Sequence, residues 1–214
     1  MALSKVNFNS LNLTPTASKT VVFNSNNNGI EAGDVGGALT LISTQTASSS
    51  STISFTSGID STYKEYIFKF INIHPGHSSY TDFLFNMSAD SGSNYNVTKT
   101  TTYFSAISFE NGSYADKEYN TSLDTAQGTG FQTLTDNTGN GNDQCLSGTL
   151  HLFDPSSTTF VKHFKSRISN AENQSAIDTF VAGYGNTTSA VDAVQFKFLS
   201  GNIDSGTIKL YGVS

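Results

Sequence analysis

Residues 63–75, YKEYIFKFINIHP, decide the fold class. Side chains in an extended chain alternate between two faces, so Tyr66, Phe68 and Phe70 share one side and Ile67, Lys69, Ile71 and Ile73 the other. Lys69 is the only charge after Glu65, and both faces are therefore expected to be largely covered. A strand of this kind belongs inside a sheet, its second face lying under a loop or a neighbouring subunit.

The same two-residue period recurs outward from this stretch. From Ala38 onward, short β-like runs alternate with turn clusters: ALTLIST, STISFT, TDFLFNMSA, NVTKTTTYFSAISF, QCLSGTLHLF, TFVKHFKSRIS, TFVAGYG, VQFKFLS and GTIKLYGV. Helical periodicity is hardly visible. About ten such strands, separated by Gly, Asn, Ser and Asp, predict an all-β, antiparallel two-sheet β-sandwich of jelly-roll type. With 16 Phe and 9 Tyr among 214 residues, but only 36% hydrophobic residues, burial rests on few, bulky positions. In the last strand Ile208 and Leu210 alternate with Tyr211 and Val213. A hairpin centred on Ser157, with Pro155 in its turn, would set Leu150 opposite Phe164, Leu146 opposite Ile168 and His151 opposite His163. Lys165 and Arg167 then join the two histidines on a polar, slightly basic outward strip.

Residues 1–37 read differently. Leu11, Leu13, Val21, Val22, Phe23 and Ile30 are isolated apolar anchors in a polar segment that ends in GDVGG. Such a segment cannot close a core alone. It is expected to be an extended N-terminal arm, ordered against something else, before a sandwich spanning 38–214; an edge strand or tail of the same domain is the alternative.

Composition narrows the partners. A formal net charge of −6 with no Lys/Arg cluster disfavours nucleic acid. The opening MALSKVNFNSLNLTP lacks the apolar region of a secretory signal, and no long apolar run occurs. Synthesis in a cytoplasm without membrane insertion is the expectation. One cysteine, Cys145, excludes an intrachain disulfide framework.

The motifs with chemical potential are weak. His74 and His77 flank a Pro-Gly turn with Asp82 nearby, but no third ligand is fixed by spacing. Asp136, Thr138, Asn140 and Gly141 follow calcium-loop offsets until Ser147 stands where a bidentate acid belongs. No serine has a nucleophile context. The expectation is a non-enzyme with no metal and no cofactor. The stretch FENGSYADKEYNTSLD concentrates Glu110, Asp116, Glu118 and Asp124 with two tyrosines. Tyr114, Asp116, Glu118 and Tyr119 are the candidate contact residues for a weakly bound sugar, on what reads as a loop.

MALSKVNFNSLNLTPTASKTVVFNSNNNGIEAG, then SSSSTISFTSGIDSTYKEYIFKFINIHP with DFLFNMSADSGSNYN, and the closing SGNIDSGTIKLYGVS resemble small virion structural proteins of tailed bacteriophages, particularly those of aquatic bacteria. The resemblance implies a β-sandwich on the outside of a virion, commonly a homotrimer, held to other virion proteins through the N-terminal arm. Tail-fibre, head-fibre and capsid-decoration roles all fit; the fibre role implies that Tyr114, Asp116, Glu118 and Tyr119 meet a host surface glycan or receptor. A glycan depolymerase and a secreted lectin-like module are the rivals from other classes.

Overall fold

The computed structural model describes residues 20–23, 30–33 and 39–214. Two compact units divide the chain, Met1–Ala38 and Leu39–Ser214.

In the first unit, where sequence reading expects an extended arm, β1 (Thr20–Phe23) pairs antiparallel with β2 (Ile30–Gly33). Val21 lies opposite Ala32, Val22 opposite Glu31 and Phe23 opposite Ile30. The Val21 side chain is 49% exposed and Ile30 is half-buried. A two-stranded ribbon is marginal by itself in water. Leu11 and Leu13 lie outside the described residues.

The second unit is all-β. Its strands are β3 (Leu39–Thr46), β4 (Ile53–Phe55), β5 (Glu65–Pro75), β6 (Thr81–Ser88), β7 (Lys99–Phe109), β8 (Ala115–Tyr119), β9 (Gln132–Thr138), β10 (Leu146–Phe153), β11 (Lys162–Glu172), β12 (Ser175–Gly185), β13 (Ala193–Phe198) and β14 (Ile203–Val213). They form two antiparallel sheets, one ordered β3-β14-β5-β10-β11-β12-β7-β8 and the other β4-β13-β6-β9. The sheets face each other as a sandwich, as the alternating runs of aromatic residues predict.

The opening stretch becomes β5, an interior strand between β14 and β10. Tyr66, Phe68 and Phe70 point inward and are at most 2% exposed. The predicted alternation stops at Asn72, whose φ of 50° marks a bulge. Between Phe70 and Ile73 the β5 backbone advances three residues while β10 advances two, from Gly148 to Leu146. The extra residue returns Ile73 to the inner face, where it is fully buried, instead of leaving it with Ile67 and Ile71. The distortion continues into β14, where Gly206 has φ 115° and a Cβ would press within 2.7 Å of Ile73 Cα. Only glycine takes that conformation without strain.

Two other expectations need correction. The β10–β11 hairpin pairs Leu152 with Phe164, Leu150 with Ser166, and His151 with Lys165. That is a two-residue shift from the sequence reading, caused by a longer loop that opens with a turn from Asp154 to Ser157. An even shift preserves the faces, so the outward basic strip survives while the His151–His163 pair does not. The stretch expected as a loop around Tyr114 to Tyr119 is instead β8, the edge strand of the large sheet.

The core is built around Phe196. Its ring meets Phe68 at 5.2 Å and Phe70 at 5.1 Å edge-on, and stacks on Phe83 at 5.9 Å. Phe55 from β4 packs edge-on against Phe68, and Phe85 meets Phe164 at 4.8 Å. These rings come from both sheets, and each fully buried one contributes about 1.5–3 kcal/mol. Under β7, β12 and β9 the filling changes from aromatic to polar. Gln132 is fully buried, and its amide accepts from the hydroxyls of Thr101 and Thr125 at 2.7 Å and donates to the carbonyls of Leu123 and Thr133. Tyr103 donates to Asp136 at 2.7 Å, and the Thr135 and Thr179 hydroxyls pair at 3.1 Å. Every amide valence of Gln132 is met, which is the condition for tolerating such a group inside.

Candidate interaction face

Of the four residues expected to make the contact surface, Asp116, Glu118 and Tyr119 stand on β8, a strand open to water on both sides, and Tyr114 immediately precedes it. Alternation along β8 separates them. Tyr119 faces Phe104 in the ladder and lies on the outer face of the large sheet with Lys117, whereas Asp116 and Glu118 point the other way. Tyr114 belongs with Asp116, to which its hydroxyl donates at 3.2 Å, and its ring packs on Phe109 at 5.4 Å. Tyr119 donates to Asp124 at 2.6 Å. Each phenol is held above its usual pKa chiefly by the hydrogen bond to its carboxylate. Tyr114, Asp116 and Glu118 are thus brought together, and Tyr119 is not one of their group.

The other weak motifs are dispersed. His74 Nε2 lies 3.2 Å from the Gly141 carbonyl, His77 bonds to Ser79, and Asp82 accepts from the Asn137 N–H. Asp82 is held above the ordinary carboxylate range, mainly by burial and further by the charge of Asp136. His163 lies opposite Tyr184, not His151. Among the described residues, no group of three or more His, Cys, Asp or Glu converges as a metal site requires.

The outer face of the eight-stranded sheet gathers more chemistry than any of these. It follows from the register. Tyr119, Phe104, Phe180, Arg167, Thr149, Lys69, Lys209 and Thr44 are successive ladder partners across all eight strands. The neighbouring row carries Ala182, Lys165, His151, Ile67, Tyr211 and Leu41. Phe104 and Phe180 stack in parallel at 4.9 Å with 5° between planes, and the Arg167 guanidinium covers the far side of Phe180 at 4.8 Å. Since this stack runs from strand to strand, the rings stand upright and present their edges to solvent. Asp178 grips Arg167 through two bonds of 2.8 and 3.1 Å. His151 Nδ1 meets Glu65 at 2.5 Å.

Between the Phe180–Arg167 wall and the Lys165–His151 wall lies a depression of about 450 Å³, floored by Thr149 and Ala182. Its contents were half-legible beforehand. His151, Lys165 and Arg167 belong to the basic strip expected of the hairpin, but Lys69, Lys209, Phe104 and Phe180 arrive from strands whose order no local pattern specifies.

Comparison with known proteins identifies no matching family model, no matching curated protein and no matching solved structure.

Proposed function

We propose that the chain is a non-enzymatic bacteriophage virion protein, a homotrimer displayed on the particle, with residues 1–37 as attachment and the sandwich turned outward as a tail-fibre-type contact module. The strand order supports this reading most. Four strands ordered β3-β14-β5-β10 facing four ordered β4-β13-β6-β9 are compatible with a jelly roll, an architecture of viral capsid and lectin domains. The β7–β8 and β11–β12 hairpins are insertions that widen one of its sheets. Asp116 and Glu118 support a contact role over a glycosidase role, because they sit exposed on an edge strand, whereas glycoside hydrolysis needs two carboxylates held across an enclosed sugar.

Antibodies raised against residues 39–214 and applied to purified virions in immunogold electron microscopy test the proposal. Label on tails is the expected result. Label on heads would assign the chain to capsid decoration. Unlabelled particles from cells that contain the protein would refute the virion reading.

A further inference from the structure

We infer that the outer face of the large sheet binds an acidic polysaccharide, with Lys69, Lys209 and Lys165 receiving its carboxylate or sulfate groups. The inference stands on the residues of this face and does not depend on the virion reading.

Charge placement is the first argument. The chain has 11 Lys and Arg against 17 Asp and Glu. Five of those cations, Lys69, Lys117, Lys165, Arg167 and Lys209, nevertheless lie on the outer side of this one sheet, where the ladder rows that carry them place Glu65 and Asp178 as opposing carboxylates. Lys69 and Lys209 are direct cross-strand partners. Like charges in that position destabilise a sheet. Among the described residues neither has a carboxylate within ion-pair distance, and the same holds for Lys165. An arrangement that costs stability in the free protein is relieved by an anion arriving from outside.

The second argument is how these ammonium groups are held. Lys69 sits over the Tyr211 ring at 5.1 Å and Lys165 over Phe153 at 5.4 Å. A ring face positions a cation without cancelling its charge. Arg167 is treated differently: Asp178 neutralises it, and it serves as a wall of the depression. The upright edges of Phe104 and Phe180 add to the effect, since the rim of an aromatic ring carries partial positive charge.

Shape and spacing favour a sugar polymer over nucleic acid. At about 4.8 Å per strand the face is roughly 34 Å across, long enough for a linear chain lying across the strands. Thr149, Thr44 and Thr207 supply hydroxyls among the cations, and the depression beside Phe180 offers an apolar wall to a sugar ring. A nucleic-acid backbone presents charge every few ångströms and is matched by denser cations than these.

Full-length protein titrated at low salt with polygalacturonate, dextran sulfate, neutral dextran and poly(dT) decides the matter. Binding to polygalacturonate identifies a carboxylated ligand, and binding to dextran sulfate a sulfated one; neutral dextran is expected not to bind. The K69Q/K209Q double variant should bind the preferred polymer about tenfold more weakly while melting no lower than the parent, since the opposed like charges are removed. K64Q/K197Q, which removes equal charge elsewhere and likewise breaks a ring contact at Lys197, should bind as the parent does. Failure to bind either acidic polysaccharide, equal weakening by both double variants, or poly(dT) binding as tight as the better polysaccharide would each overturn the inference.

Discussion

Deleting residues 206–214 is expected to yield protein that neither stays soluble nor melts cooperatively. The segment is most of β14, which lies between β3 and β5 and pairs with both along nearly its whole length. Its loss takes Ile208 and Leu210, both fully buried, out of the core. It also unpairs one edge of β5 and leaves β3 with no described strand to hold it. The two side chains alone represent about 4–6 kcal/mol, and the ladder bonds add to that, against a total stability of about 5–15 kcal/mol for such a domain. Circular dichroism and size-exclusion chromatography of the truncated protein provide the check. A monodisperse product with a single sharp melting transition would mean that the sheet order is wrong.

Replacing Lys99 by Met is expected to have the opposite sign. Lys99 opens β7 with its side chain turned inward and fully buried, and its ammonium donates to the carbonyl of Gly130 at 2.6 Å. No carboxylate among the described residues pairs with it, and burial lowers its pKa from 10.5 to about 8. Below pH 8 the ammonium persists in both states, and the folded state bears the whole cost of burying it, about 3 kcal/mol. As pH rises above 8 the folded protein releases the proton before the unfolded chain does. Stability therefore increases from about pH 8 towards pH 10, where tyrosines of the unfolded chain begin to ionise and oppose the trend. Met keeps the apolar stem and removes the charge, and Gly130 is exposed, so water can take over its carbonyl. Denaturant unfolding should show K99M more stable by about 2–3 kcal/mol at pH 7, with the difference narrowed by about 2 kcal/mol at pH 9.5. Equal midpoints for the two proteins at pH 7 would show that the ammonium is not confined in this way.

What could be read from the chain alone follows from where its side chains report their surroundings. β5 is legible because Tyr66, Phe68 and Phe70 sit on one period against a sheet of rings. The bulge at Asn72 is not, since nothing in FINIHP distinguishes a regular strand from one carrying an extra residue. β9 escapes detection because Leu134 is its one inward apolar residue, flanked by the buried Gln132 and Thr135, which bond to Thr101, Thr125 and Thr179 on other segments instead of extending an apolar stripe. β8 escapes for the reverse reason: an edge strand exposed on both faces needs no alternation, and its charges are the kind that keep sheet edges from pairing with other chains. Residues within one hairpin kept their faces despite a register error. The Lys69–Lys209 pair could not be anticipated, because it depends on a strand from the end of the chain lying beside one from its first third.

The account rests on a division of the aromatic residues between a sealed interior and an open, cation-bearing outer face. Hydroxyl-radical footprinting of the full-length protein measures that division ring by ring. Phe104 and Tyr119, 45% and 54% exposed, should be oxidised readily while Phe68, Phe70, Phe83 and Phe196 remain unmodified. Oxidation of Phe196 at a rate matching Phe104, or full protection of both Phe104 and Tyr119, would contradict it.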